Sequence, residues 1–393
     1  MKHFKYLIVG GGMTADAAAR GIRELDQNNT IGLISSEPDP PYNRPNLSKG
    51  LWKGRPLEKI WRKTADLDVE LMLDTTVISL APANKTIGDN HGNEYTYDRL
   101  LLATGSTPNH LPFGHDRIIY FRNLQDYFKL RHLADQHLRF LVIGGGYIGS
   151  EIAAALTMAG SKVSMVFLEE GISGALFPPD LSNYLNDHYR QQGVDLIPQS
   201  AIASVEAASD KIIARTGSGN TIDVDAVVAG IGVHPEVDLA RSGGLQVDNG
   251  IVVDEILKTS APDIYAAGDV ANFTYHLFGK RMRVEHEDNA LIMGKMAGRN
   301  MAGASESYHH APMFYSDLFK LGYEAVGEMD HRKKIVSDWQ EPYQKGVLYY
   351  LEHDRVRGVL LWNVWKKVDE ARRLLAEPGP FKDSDLKGRI TDQ

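Results

Sequence analysis

At 393 residues the chain exceeds one ordinary domain and points to two or three. Its 51 acids against 43 bases leave a net charge of −8, which argues against nucleic acid or an anionic membrane surface as a general partner. It has no cysteine, so the chain itself supplies no disulfide, thiolate nucleophile or cysteine-held metal cluster, and redox chemistry must reside in a bound cofactor.

The opening MKHFKYLIV is basic, then apolar only from Tyr6 to Val9. A secretory signal carries roughly 7–15 apolar residues, and no run approaches the roughly 18 of a membrane span. A cytoplasmic protein is expected.

YLIVGGGMTADAAAR (6–20) reads as a strand, a glycine turn and an alanine-rich helix, followed by the strand TIGLISS with Glu37 beyond its end. The strand-like LLLATG comes next. RFLVIGGGYIGSEIAAAL (139–156) then repeats the opening device, followed by KVSMVFL with Glu169 and Glu170. AVVAGIG and DIYAAGD continue the rhythm. Strands alternating with helices predict an α/β fold of parallel sheets covered by helices. One repeat of the fingerprint means two nucleotide-binding units, not a solenoid. After Gly303 the aromatic strands GVLYYLEHD and VRGVLLWNVW and the charged helix KKVDEARRLLAE predict a small α+β C-terminal domain. The polar tail from Pro378 is expected to be loose.

The first fingerprint is Gly10-x-Gly12-x-x-Ala15 and the second Gly144-x-Gly146-x-x-Gly149. In such a turn the first glycine bends tightly and the second admits a pyrophosphate. The third position packs helix on strand, and the phosphates sit on the helix N-terminus. Glu37 and Glu169, each about 20 residues further on, suit ribose hydroxyls of an adenosine. Glu169 and Glu170, with no arginine nearby in sequence, favour NADH over a 2′-phosphorylated coenzyme. His309–His310 has no third ligand at metal spacing, and no metal is expected.

LLATGSTP (101–108) and TSAPDIYAAGDVA (259–271) resemble the ATG and GD signatures of the two-dinucleotide FAD/NAD-linked reductases, with glutathione-reductase-like Rossmann domains. PPYNRPNLSKGLW (40–52) resembles the ferredoxin and rubredoxin reductases and the apoptosis-inducing-factor group. RVEHEDNALIMGKMAGRNMAGA (283–304), MFYSDLFKLGYEAVG (313–327) and LLWNVW (360–365) are more similar to the latter, in a compact prokaryotic form. The resemblance covers almost the whole chain. It implies an FAD-binding domain from residues 1–112 and 234–306, an NADH-binding domain at 113–233 and the C-terminal domain at 307–393.

It further implies that FAD is held by Gly10, Gly12, Met13, Thr14, Ala15, Glu37, Arg44, Val77, Ala103, Thr104, Gly105 and Asp269. NADH would fall to Gly144, Gly146, Ile148, Gly149, Glu169 and Gly232. Lys49 and Glu151 resemble an ion pair beside the flavin ring, and Tyr147 an aromatic that covers it until nicotinamide arrives. Glu285, His286, Tyr315, Glu324 and Asn363 match positions near the ring or nicotinamide. Two departures stand out: Tyr315 replaces a tryptophan, and Asn109 an arginine.

The implied reaction is hydride transfer from NADH to flavin N5, then electron delivery to a ferredoxin- or rubredoxin-type carrier. The alternatives are a slow NADH oxidoreductase whose flavin–nicotinamide complex controls association, such as homodimer formation, and reduction of a quinone or O2. KGLWKGRPLEKIWRK (49–63) holds six cations and one acid, read as a patch that steers an acidic iron–sulfur partner.

Overall fold

The computed structural model describes residues 1–208 and 211–391, in two compact units. The first comprises residues 1–46, 55–107 and 234–312, and the second 47–54, 108–233 and 313–393.

At the centre of the first unit, strand Lys2–Val9 pairs in parallel with Ile31–Ile34 and with Glu94–Leu102, setting Val9 opposite both Ile34 and Leu102. Val69–Met72 extends one side; Thr86–Asp89 and Val77–Ala81 add an antiparallel edge on the other. Ile264–Ala266 pairs in parallel with Glu94–Leu102. Leu7, Ile8, Leu33, Leu100, Leu101 and Leu102 are fully buried. Their unbroken apolar runs are what a parallel strand covered on both faces requires. The carboxyl ends of three strands deliver Gly10, Ser35 and Gly268 to one edge of the sheet, where open α/β sheets bind ligands.

Helix Met13–Leu25 lies against helix Glu287–Met301 with almost no gap: a Cβ on Gly298 would come within 2.0 Å of the Ala18 carbonyl oxygen. On its other flank Asp16, fully buried, accepts from four donors. Arg62 Nε lies 2.5 Å and Arg20 Nε 2.9 Å from one oxygen; Thr64 Oγ1 lies 2.7 Å and an Arg20 terminal nitrogen 3.1 Å from the other. A buried carboxylate needs such company.

In the second unit a parallel sheet runs Asp195–Ile197, Lys162–Val166, Arg139–Ile143, Ala226–Ala229, Ile118–Tyr120. A three-stranded antiparallel sheet, Ile202–Ala208, Lys211–Thr216 and Thr221–Val224, packs Val205, Ala214 and Val224 against it. The C-terminal sheet is antiparallel, in the order Met313–Leu318, Leu321–Gly327, Arg355–Trp362, Lys345–Glu352, Lys334–Glu341, and helix Val368–Ala376 packs on it.

The expectation of a loose tail is corrected for its described residues, 378–391. Leu386 and Ile390 are buried, the Gly388 amide donates to Asp338 at 2.7 Å, and Lys334 pairs with Asp383 at 2.8 Å. Two apolar residues four apart suffice to dock the segment, and its polar average conceals them.

Candidate active site

In the first unit, strand Lys2–Val9 ends in Gly10 at φ +124°, where a Cβ would collide with the Ala103 carbonyl oxygen at 2.1 Å. Gly12 caps helix Met13–Leu25 at φ −87°, ψ −170° without a side-chain hydrogen bond, and a Cβ there would meet nothing within 4 Å. The turn therefore presents backbone amides of Met13 and Thr14 to open space at a helix N-terminus, while Ala15 is fully buried. Gly268 approaches so closely that a Cβ would lie 2.3 Å from Thr14 Oγ1, which brings Asp269 to the same cradle.

Glu37 stands beyond strand Ile31–Ile34 with both oxygens held: Arg44 donates to Oε1 at 2.5 Å and the Tyr42 hydroxyl to Oε2 at 2.6 Å. Arg44 also lies over the Tyr42 ring, 5.0 Å from its centroid. Desolvation opposes the Arg44 cation, but Tyr42, Glu37 and Asp269 outweigh it and hold the guanidinium charged. Ser106 Oγ donates to Asp269 Oδ2 at 3.0 Å. Ala103 bonds to Val9 at 2.8 Å and Thr104 to the Glu236 carbonyl at 2.7 Å, fixing the ATG turn through Gly105. Val77 opens the antiparallel edge strand and is partly exposed.

His286 caps helix Glu287–Met301, and Glu285 before it pairs with Arg283, which also donates to the Asp269 carbonyl at 3.1 Å. Desolvation lowers the His286 imidazole to about 4 against the opposing pull of Asp269 and Asp288, so it is neutral at pH 7.

The second unit builds the same device again. Gly144 has φ +110°, and a Cβ would lie 2.2 Å from the Gly230 carbonyl oxygen; Gly146 caps helix Tyr147–Met158 at φ −82°, ψ −162° with nothing within 4 Å of a Cβ. Gly149 packs on the Gly144 carbonyl. Tyr147 and Ile148, at the helix start, are 36% and 38% exposed, and the Tyr147 ring meets Phe314 edge-on at 5.4 Å. Beyond strand Lys162–Val166, Glu169 and Glu170 are exposed, and neither has an ion-pair partner among the described residues. Asn109, the departure noted above, clamps the turn before it closes: its backbone amide donates to the Gly232 carbonyl at 2.9 Å and its side chain to that of Ile231 at 3.3 Å.

Also in this unit, Lys49 Nζ lies 2.8 Å from each oxygen of Glu151, which is 3% exposed at the start of helix Tyr147–Met158. Tyr315 places its ring centroid 5.0 Å from the same ammonium and pairs in register with Glu324. Burial raises the Glu324 carboxyl, opposed by a hydrogen bond from the Lys366 amide. Asn363 ties strand Leu321–Gly327 to the turn before strand Lys345–Glu352, accepting from the Gly322 amide and donating to the Gln344 carbonyl, both at 2.8 Å.

Ion pairs take up part of the basic segment 49–63. Of its six cations, Lys49 is bound to Glu151, Lys53 to Asp317 at 2.8 Å and Arg62 to buried Asp16; Arg55, Lys59 and Lys63 remain on the surface. Sequence reasoning also missed Tyr42, Ser48, Ser106 and Ser316, single polar residues; Ser48, Ser106 and Ser316 have partners on distant helices, and Tyr42 has its partner in the loop after strand Ile31–Ile34.

The pyrophosphate-binding fit rests on Gly12 and Gly146. At both, the space that a side chain would fill faces unclaimed helix-terminal amides, as a dinucleotide demands.

Residues 4–294 match the family described as pyridine nucleotide-disulphide oxidoreductase, and residues 297–342 and 330–377 match the apoptosis-inducing factor, mitochondrion-associated, C-terminal family. The chain is 32% identical to apoptosis-inducing factor 1, mitochondrial, of Dictyostelium discoideum, over 98% of this chain and 80% of that one. It is 30% identical to putidaredoxin reductase of Pseudomonas putida, over 97% and 93%. Among solved structures, the putidaredoxin reductase–putidaredoxin covalent complex superposes with a TM-score of 0.91 at 28% identity, covering 98% of this chain and 95% of that one. A ferredoxin reductase from Rhodopseudomonas palustris gives 0.89 at 26%, covering 97% and 96%. The chain has no cysteine for the dithiol chemistry in the family's title. It belongs to the pyridine nucleotide-disulphide oxidoreductase family, as a cysteine-free FAD-dependent oxidoreductase of pyridine nucleotides.

Proposed function

We propose that the protein is an FAD-containing, NADH-dependent oxidoreductase that delivers electrons to a ferredoxin- or rubredoxin-type iron–sulfur carrier. The observation that carries this reading is the pair of matching strand–glycine–helix cradles, one per unit. The first, with Glu37, Arg44, Asp269 and the 103–105 turn, is assigned FAD. The second, with Gly232 and the exposed Glu169 and Glu170, is assigned NADH. Two unpaired carboxylates attract no 2′-phosphate. We retain as a proposal an FAD-binding domain of residues 1–112 and 234–306, an NADH-binding domain of 113–233 and a C-terminal domain of 307–393.

Bound FAD supplies a ring that accepts hydride from a reduced nicotinamide and yields electrons singly to a carrier. The protein's part is binding, positioning and charge. Helix-terminal amides at Gly12 and Gly146 would hold the diphosphates. Lys49, fixed by Glu151, would supply positive charge to a reduced flavin ring brought against it. Neutral His286 offers hydrogen bonding without adding a cation. Tyr147 and Tyr315 supply flat faces, and Glu324 and Asn363 shape the nicotinamide end.

That putidaredoxin reductase and ferredoxin reductases match over nearly the full chain supports the carrier as acceptor. The match to the apoptosis-inducing factor C-terminal family, together with the half-neutralised basic segment, favours a second reading. In it, slow NADH oxidation forms a lasting flavin–nicotinamide complex that governs self-association. No described helix is long and apolar enough to cross a membrane, and a cysteine-free acidic chain suits the cytoplasm.

Stopped-flow reduction by NADH, followed by reoxidation with air and with purified ferredoxin or rubredoxin, decides between them. Fast carrier reoxidation with unchanged sedimentation supports the reductase. A long-lived long-wavelength species indifferent to every carrier overturns it.

A further inference from the structure

Glu151 is held by more than the lysine that the sequence pairs with it. Ser48 Oγ donates to Oε2 at 2.6 Å and Ser316 Oγ donates to Oε1 at 2.6 Å, each shorter than the 2.8 Å from Lys49. The serines are 7% and 1% exposed, and they come from the segment before the 3-10 turn Gly50–Lys53 and from strand Met313–Leu318. One hydroxyl thus anchors each oxygen, and the carboxylate plane is fixed from two directions. The other groups facing the cluster are Tyr315, beneath the Lys49 ammonium, and the buried hydroxyls of Tyr323 and Tyr189. Tyr323 bonds to Ser316 and Tyr189 to the Ser150 carbonyl, and burial together with the Glu151 charge keeps both protonated.

A carboxylate bound by lysine alone rotates about its terminal torsion, which is broad and soft. The ammonium, on a flexible four-carbon stem, would follow it. Two short charge-assisted hydrogen bonds remove that freedom. We infer that Ser48 and Ser316 are positioning residues that lock Glu151, and through it set where the Lys49 ammonium stands.

This inference rests on the reading that Lys49 serves flavin reduction, and the experiment separates the two. Ser48→Ala, Ser316→Ala, the double variant, Ser48→Thr and Lys49→Gln are compared as FAD-loaded proteins. The measurements are the limiting rate of flavin reduction, the NADH dissociation constant and the flavin midpoint potential. Each alanine variant slows reduction about fivefold, on the scale of one charge-assisted bond partly replaced by water, with NADH affinity unchanged. The double variant slows it by more than the product of the singles, because both bonds act on one carboxylate. Its flavin potential becomes more negative, and Ser48→Thr retains the native rate and potential.

In FAD-free protein, the carboxyl carbon resonance of labelled Glu151, assigned by its loss in Glu151→Gln, shifts in each alanine variant. If the double variant binds too little FAD, Ser48→Ala against Ser48→Thr decides, and equal rates overturn the inference. Native rate and potential in the double variant, with Lys49→Gln impaired, overturn the inference alone. An unimpaired Lys49→Gln overturns the underlying reading.

Discussion

Replacing two glycines of the second fingerprint, one at a time, separates a glycine required by the fold from one required by the ligand. Gly144 has φ +110°, and a Cβ there would sit 2.2 Å from the Gly230 carbonyl oxygen. The backbone must shift by about 1 Å, a strain of about 1–3 kcal/mol from overpacking, with about 1–3 kcal/mol more for the dihedral. Gly144→Ala therefore costs roughly 2–6 kcal/mol of a total near 5–15. Gly146 has φ −82° and open space where a Cβ would point. Gly146→Ala leaves stability unchanged or raises it by about 0.4–1 kcal/mol through the unfolded chain. The new methyl occupies the approach of a pyrophosphate, so NADH binding weakens by about 2 kcal/mol, about thirtyfold in Kd. Gly12→Ala is the control: it lowers FAD retention and spares NADH affinity measured on the remaining holoprotein. Urea unfolding gives the stabilities, and flavin-quenching titration gives the affinities. Native NADH affinity in Gly146→Ala, or instability equal to that of Gly144→Ala, refutes the reasoning.

Steady-state kinetics with both coenzymes should show kcat/KM for NADH at least about tenfold above that for NADPH, since like charges near 4–5 Å repel by about a kcal/mol or more. Glu169→Gln/Glu170→Gln narrows the ratio, and equal native efficiencies dispose of the cradle's specificity. His286 titrates near 4 against an ordinary 6.5; between those values the unfolded chain takes up the proton and the folded one does not, so its contribution is complete above pH 6.5 and is lost as pH falls toward 4. A proton NMR titration of His286 with a midpoint above 6 contradicts this. Leu386→Ala and Ile390→Ala each cost about 2–4 kcal/mol in chemical denaturation despite lying in a polar tail; losses under 0.5 kcal/mol show that the segment is undocked in solution.

The two cradles were legible because their signal is local. Glycines at set spacing between an apolar strand and an alanine-rich helix have few other uses, and Gly10, Gly12, Gly144 and Gly146 adopt the geometry that the spacing implies. The alternation of strands and helices made the parallel strands of both sheets legible for the same reason. Pairings across the chain were not legible. Glu151 is 103 residues from Ser48 and 165 from Ser316, and serine carries no periodic signature. Within residues 49–63 the sequence shows six cations but not which of them are paired, because cations adjacent in sequence have remote partners: Arg62 turns inward to Asp16, and Lys53 meets Asp317. Averaged polarity hid Leu386 and Ile390 in the same manner.

The Asp16 cluster binds Arg62 and Thr64 to the helix that carries the first cradle. Its consequence is modularity within a single short stretch of chain. Arg62 and Thr64 are committed to the prosthetic-group fold, whereas Arg55, Lys59 and Lys63 point outward and are free to diverge. Substitutions at those three exposed positions can alter the surface of this stretch while the buried Asp16 contacts that hold the first cradle's helix stay in place.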